Sequence, residues 1–294
     1  MREGVITKAL SGFYYVTSGE ETIECRARGR FRRDGMSPLV GDIVGFSVTD
    51  NGKGIIDKVE TRKNFFVRPA VSNVDYLIVI AANVNPVTDP YLIDRVTVIA
   101  ENAGCEIVIC INKSDLDSGD ELFEIFSTTG YKVIRTSPVT GEGIEELKDT
   151  IKGKISAFTG NSGVGKSSIL NAIDPRFSIK VGEVSDKLGR GKHTTRHVEL
   201  FAIGENTFIA DTPGFASFDM DKMPHIAKEN LQHMFPEFAP YIGKCRFDDC
   251  AHIKEPGCAV LSALEDGIIS QSRHSSYVRL YDLLGQVKDW EIKK

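Results

Sequence analysis

The segment Gly160-Asn161-Ser162-Gly163-Val164-Gly165-Lys166-Ser167 fits G-x-x-x-x-G-K-[ST] without adjustment, and Ser168 continues it into the apolar stretch ILNAI. Glycines at these positions let backbone N–H groups curl around phosphate oxygens where a Cβ would obstruct. A lysine here reaches the β- and γ-phosphates, and the Ser167 hydroxyl is placed to hold Mg²⁺. The context also fits, because a strand pattern (KISAF) precedes the loop and a helix pattern follows it. Downstream, Asp211-Thr212-Pro213-Gly214 follows the strand-like TFIA. In a phosphate-loop protein that position supplies an aspartate for Mg²⁺ and a glycine N–H, here Gly214, for the γ-phosphate.

Asn112-Lys113-Ser114-Asp115 closes the apolar run EIVICI. The Asp115 carboxylate can accept two hydrogen bonds from the ring N–H and exocyclic amine of guanine, a pair that adenine does not present. Asn112 can brace the loop, and the Lys113 stem can lie along the base. Next to a phosphate loop, this tetrapeptide makes GTP the expected ligand, with GDP its product. The order of the parts is unusual. The guanine motif at 112 precedes the phosphate loop at 160, whereas ordinary GTPases have the reverse. That order spells a circular permutation, tolerable because the termini of compact domains often lie close together.

A further cluster, Cys245-x4-Cys250-x-His252-x5-Cys258, gathers three thiols and an imidazole within a short span. Cys₃His is a complete tetrahedral set for one structural Zn²⁺, and four protein ligands leave no open position for a catalytic water. Cys25, Cys105 and Cys110 sit in apolar contexts and read as packing residues. His197, His225, His233 and His274 have no motif partner.

The elements that must position these groups change character along the chain. Up to Arg68 the segments GVITKAL, GFYYVTS, ETIECRARGRF, DIVGFSV and GIIDKVE are short, β-branched or aromatic, and bounded by Gly, Asp or Asn. Such a run predicts a small all-β barrel of the OB type. Within it Arg26, Arg28, Arg30 and Arg32 alternate, so an extended chain would place all four on one face, with Arg33 beside them. That face would suit RNA phosphates. The block carries 12 Lys/Arg against 9 Asp/Glu, whereas the whole chain is net −5, which also points to one module meeting a polyanion. Beyond Pro69, apolar runs (VDYLIVIAA, EIVICIN, YKVIRTS, KISAFTG) alternate with amphipathic stretches, as in a parallel α/β sheet buried on both faces. From Pro224 onward the pattern is mostly helical, with one helix expected over 263–290 and Trp290 as its packing anchor.

With 294 residues, 41% of them hydrophobic, the chain can fill two or three cores, which excludes a largely disordered protein. The longest apolar run, Tyr76 to Ala82, falls far short of a membrane span, and MREGVITKAL lacks a leader's apolar stretch. Six cysteines are too few for a disulfide scaffold. A soluble cytoplasmic protein without membrane contact is expected.

Taken in order, NKSD, GNSGVGKSS, GRGKHTTR and DTPGF resemble the circularly permuted, ribosome-associated GTPases of the RsgA (YjeQ, YloQ) family, and the resemblance covers the whole chain. It implies a GTP phosphohydrolase that acts as a monomer, binds the small (30S) ribosomal subunit and its 16S rRNA, assists its late maturation and is stimulated by it. It also implies an OB-fold RNA-binding domain at 1–68, a permuted P-loop GTPase domain at 69–223 and a helical zinc-binding domain at 224–294. Thr136-Ser137-Pro138 resembles the family's T-S-A guanine loop, with Ser137 the expected contact. Pro138 stands where an amide donor is usual. Phe215 follows DTPG where many small GTPases carry a water-orienting glutamine, so a catalytic group must come from elsewhere. His193, in the switch-like Gly189–Arg196 segment, is the expected one, acting with Lys166, and Thr195 is the expected second Mg²⁺ ligand ahead of Thr194. Two rival readings are a nucleotide-gated RNA-binding module that rarely turns over and a small-molecule kinase.

Overall fold

The computed structural model describes residues 1–29, 31, 35–67, 69–177, 198–211 and 226–286. The first five strands are β1 (Arg2–Leu10), β2 (Phe13–Ser18), β3 (Glu21–Ala27), β4 (Ile43–Val48) and β5 (Gly54–Val59). They run in the order β1-β2-β3-β5-β4, and β4 returns to pair with β1. This closes a five-stranded barrel with β3 and β5 parallel, the arrangement of an OB-fold. Ile6, Val16, Cys25, Val44, Phe46 and Ile56 fill it.

The extended strand expected to carry the arginine stripe stops short of it. β3 ends at Ala27, and the Phe31 N–H turns back to the Arg28 carbonyl at 3.1 Å. The turn carries the Phe31 ring into the core, and that burial outweighs continuation of the strand. The Arg26 guanidinium lies 4.6 Å from the Phe13 ring centroid, and Arg28 pairs with Asp57 at 2.6 Å. Arg30, Arg32 and Arg33 lie outside the described residues.

A short hairpin, β6 (Phe65–Val67) with β7 (Ala70–Ser72), joins the barrel to the next unit. Asn64 fixes this joint by exchanging two hydrogen bonds with the Val74 backbone, at 2.8 and 3.0 Å. The central unit holds β8 (Tyr76–Ala82), β9 (Glu106–Asn112), β10 (Lys132–Thr136), β11 (Ile155–Thr159), β12 (Glu199–Gly204) and β13 (Thr207–Asp211). The order is β10-β9-β8-β11-β13-β12; neighbours are parallel up to β13, and β12 is antiparallel. Leu77 and Val79 of β8 face one apolar cluster with α1 (Pro90–Ala103) and α2 (Asp120–Ser127). Ile78 and Ile80 face the other, with α3 (Ile144–Ile151) and α4 (Lys166–Ile173). This alternation explains why the strands read as continuous apolar runs. α1 shows how locally the sequence sets its bounds: the Asp89 side chain accepts from Tyr91 N–H, Pro90 opens the helix, and Gly104 closes it at φ 70°.

The C-terminal part corrects the single long helix. α5 (Ala259–Glu265) and α6 (Gln271–Gly285) are separate, and Gly267 at φ 73° turns the chain between them. Trp290 lies outside the described residues. α6 packs on α1 through Val98, Phe235, Tyr277 and Leu280. Its Arg273 is fully buried, paired with Asp94 of α1 at 2.5 Å and with Glu237 at 2.7 Å. No helix among the described residues is long and apolar enough to cross a membrane.

Candidate functional site: a phosphate loop, a base-reading edge and a thiol cluster

Every nucleotide motif in the described residues lies at the carboxyl end of a parallel strand: Asn112 ends β9, Ser137 follows β10 and Gly160 follows β11. Open α/β sheets bind ligands at that edge. The phosphate loop has the backbone its glycines permit. Gly160, Gly163 and Gly165 take φ of 152°, 84° and 97°. A Cβ on Gly160 would stand 2.5 Å from the Ile80 carbonyl oxygen, and one on Gly165 would stand 2.1 Å from Asn112 Nδ2. The loop delivers Lys166 and Ser167 at the start of α4, whose first N–H groups have no side-chain cap and face the loop. That is a cradle for phosphate oxygens.

The residues expected to read the base gather around it. Asn112, almost fully buried, donates from Nδ2 to the Val164 carbonyl at 2.7 Å and accepts from Thr136 Oγ1 at 3.2 Å. One side chain thus ties the guanine motif to the phosphate loop across 52 residues of sequence. Asp115 is exposed, and the Ser137 hydroxyl donates to its Oδ1 at 2.6 Å. Lys113, at φ 66°, donates its amine to the Asn85 carbonyl. Ser114 Oγ donates to Glu142 at 2.7 Å, which holds the loop after β9 against the one after β10. Asn85 and Glu142 carried no motif signal, and Thr136 only that of the T-S-P segment; their roles emerge from these contacts. His193, Thr195 and Gly214 lie outside the described residues, and of Asp211 only the backbone, at the end of β13, is described.

The second centre lies in the C-terminal part. The ligand atoms of Cys245, Cys250, His252 and Cys258 all lie within 4.8 Å of one another. His252 Nδ1 is 3.5 Å from Cys245 Sγ and 3.4 Å from Cys258 Sγ, and those two sulfurs are 3.8 Å apart. Tetrahedral bonds of about 2.3 Å to sulfur and about 2.0 Å to nitrogen require edges of about 3.8 and 3.5 Å, so the set fits Zn²⁺. His252 Nε2 faces the Gln232 carbonyl oxygen at 2.8 Å, a partner that leaves Nδ1 as the ligand nitrogen. His274 Nε2 donates to the His252 carbonyl at 2.7 Å, and the Tyr277 hydroxyl donates to that of Ala251 at 3.0 Å. Gln232, His274 and Tyr277 were missed in the sequence because their partners are 20 or more residues away. Burial pushes the His252 imidazole down from its ordinary value, which keeps it neutral. Burial and then the neighbouring thiols push Cys250 up to about 12. Cys25, Cys105 and Cys110 are buried packing residues, pushed up by burial to about 11, 12 and 12.

An N-K-x-D segment and a phosphate loop on one sheet, met in rotated chain order, are the arrangement of a circularly permuted GTPase. The family model for the RsgA GTPase matches residues 59–221, and that for the RsgA N-terminal domain matches 3–56. A small ribosomal subunit biogenesis GTPase RsgA from Caldanaerobacter subterraneus subsp. tengcongensis is 44% identical over 295 residues, covering 99% of this chain and 98% of that protein. The same protein from Geobacillus thermodenitrificans is 45% identical over 284 residues, covering 95% and 96%. The crystal structure of YjeQ from Thermotoga maritima superposes with a TM-score of 0.84 at 38% identity, covering 98% of this chain and 99% of that one. YloQ, described as a circularly permuted GTPase, superposes at 0.81 with 35% identity, covering 98% and 96%. The chain belongs to the RsgA family of GTPases.

Proposed function

We propose that this GTP hydrolase serves in maturation of the small ribosomal subunit, binding the subunit and its 16S rRNA in the GTP state and leaving after hydrolysis. The observation that carries the reading is the Asn112–Val164 bond, which couples base recognition to the phosphate loop. Asp115, oriented by Ser137, reads guanine, while Asn112 and Lys113 shape its pocket. Residues 160–168 wrap the phosphates, and Lys166 lowers the charge that builds up on them in the transition state. Ser167, Asp211 and Thr195 would hold Mg²⁺, which would supply neutralisation of the phosphate charge. Gly214 senses the γ-phosphate. His193 orients the attacking water when the subunit is bound, a role that Phe215 cannot fill.

The division into 1–68, 69–223 and 224–294 assigns RNA contact to the barrel through Arg26, Arg28, Arg30, Arg32 and Arg33. It assigns Zn²⁺ to Cys245, Cys250, His252 and Cys258. The β6–β7 hairpin straddles the first boundary and acts as the joint. The protein works as a cytoplasmic monomer. Phosphate release from GTP, with and without isolated small subunits, tests the reading, with ATP and large subunits as controls. Slow basal turnover raised strongly by small subunits alone is expected; equal rates would remove the ribosome from the mechanism. Under the same conditions His193→Ala abolishes the stimulation and spares GTP binding; intact stimulation would exclude the histidine.

A further inference from the structure

Guanine presents, along one edge, two donors (N1–H and the 2-amino group) and one acceptor, O6. A carboxylate is acceptor-only and answers the donors. O6 needs a donor, and the segment beside Asp115 can be searched group by group. The Ser137 N–H donates to the Glu142 carbonyl at 3.0 Å. The single Ser137 hydroxyl proton goes to Asp115 Oδ1 at 2.6 Å. Pro138 has no N–H. The N–H groups of Val139 and Thr140 both turn inward to Ser137 Oγ, at 3.2 and 3.3 Å, and that of Gly141 goes to the Ser137 carbonyl at 2.8 Å. Across the pocket, the Asn112 amide is buried against Val164 and the Lys113 amine is held by Asn85. The turn is thus built inward, on the serine that aims Asp115, and the residue next to that serine has nothing to donate.

We infer that Pro138 leaves the 6-position of the bound base without a donor among the described residues, so that this chain selects guanine through the two donors meeting Asp115, with O6 left to water. The inference rests on the proposed guanine reading of Asp115. Adenine is still excluded, because it lacks the 2-amino group and turns an acceptor N1 toward the carboxylate. What relaxes is discrimination at C6, where a proline stands in place of a residue with an amide proton.

Calorimetric titration of the full-length protein with GDP, 6-thio-GDP and IDP tests this. The thio analogue keeps both donors and weakens the acceptor; inosine keeps O6 and loses the 2-amino group. Wild-type protein is expected to bind GDP and 6-thio-GDP within about twofold of each other, and IDP at least about tenfold more weakly. Pro138→Ala restores an N–H and tightens GDP by about three- to tenfold, the worth of one neutral hydrogen bond, and the GDP to 6-thio-GDP ratio opens by the same factor. A wild-type preference for GDP of tenfold or more, or a folded P138A protein whose ratio stays at the wild-type value, overturns the inference. If alanine disrupts the turn, the wild-type comparison decides alone. IDP binding as tightly as GDP would instead overturn the reading of Asp115, whatever the thio analogue does.

Discussion

Arg273 is the best place to test how the C-terminal part is held to the GTPase core. Its guanidinium is fully buried, bonded to Asp94 on α1 and twice to Glu237, at 2.7 and 3.1 Å, with its carbon 4.4 Å from the Phe235 ring centroid. Arg273→Met keeps much of the volume and removes the charge, leaving two buried carboxylates without their cation. At an effective dielectric near 20, charges about 4 Å apart attract by about 4 kcal/mol, so each carboxylate loses an interaction of that order. Protonation limits the damage. Neutralising a carboxyl of ordinary pKa near 4 at pH 7.5 costs about 5 kcal/mol, at about 1.36 kcal/mol per unit, and at pH 5.5 about 2 kcal/mol. A loss of about 3–5 kcal/mol at pH 7.5 is therefore expected, falling to about half at pH 5.5. The sign follows from linkage. Burial already holds the Asp94 carboxyl above its usual range, against the pull of Arg273. Without the cation it rises further, and an acid raised in the folded state loses stability as pH climbs from its unfolded to its folded pKa. Urea unfolding followed by circular dichroism at the two pH values measures this, with R273M/D94N/E237Q recovering most of the loss. A variant within 1 kcal/mol of wild type, or one whose loss ignores pH, would refute the reasoning.

Other perturbations separate the two centres. Gly165→Ala forces a Cβ to 2.1 Å from Asn112 Nδ2 at a φ of 97°, so nucleotide affinity should fall by about a hundredfold or more while circular dichroism stays unchanged. Ser137→Ala frees Asp115 from its 2.6 Å anchor and should weaken GDP by about five- to tenfold in the same titration. Zinc removal by a chelator should unfold the region around α5 and α6, seen as lost helical signal, and leave GDP affinity within about twofold. Because burial raises Cys250 and Cys258, zinc displaces thiol protons, so apparent zinc affinity should rise with pH and loading should release protons into a weak buffer. A pH-independent affinity would mean the thiols are not the ligands.

Local chemistry was legible wherever one short segment holds it. The strands read as alternating or continuous apolar runs, and Gly160 to Ser167, Asn112 to Asp115 and the Cys/His cluster each declare themselves within a few residues. What stayed hidden depends on distant partners. Arg273 sits in QSRHSSYVRL, which reads as a solvated helix, yet its carboxylates lie 36 and 179 residues away. His274 looked idle because its acceptor is a backbone carbonyl 22 residues upstream. The extended arginine face was over-read for a related reason: alternation predicts a face only while the strand lasts, and β3 ends at Ala27, before the buried Phe31. Asp266-Gly267 is the local sequence signal for the break between α5 and α6.

The barrel is spliced into the core's sheet. β1 meets β12 at the pair Lys8 and Glu199, whose side chains also form an ion pair at 2.9 Å. Glu199 stands six residues beyond His193, and β13, the other arm of the same hairpin, ends at Asp211. A barrel on a loose tether could swivel without consequence. This one has leverage: turning it must either pry open that strand pair or twist the β12–β13 hairpin. The barrel's orientation is therefore tied by backbone, over the width of two strands, to the hairpin that ends at Asp211.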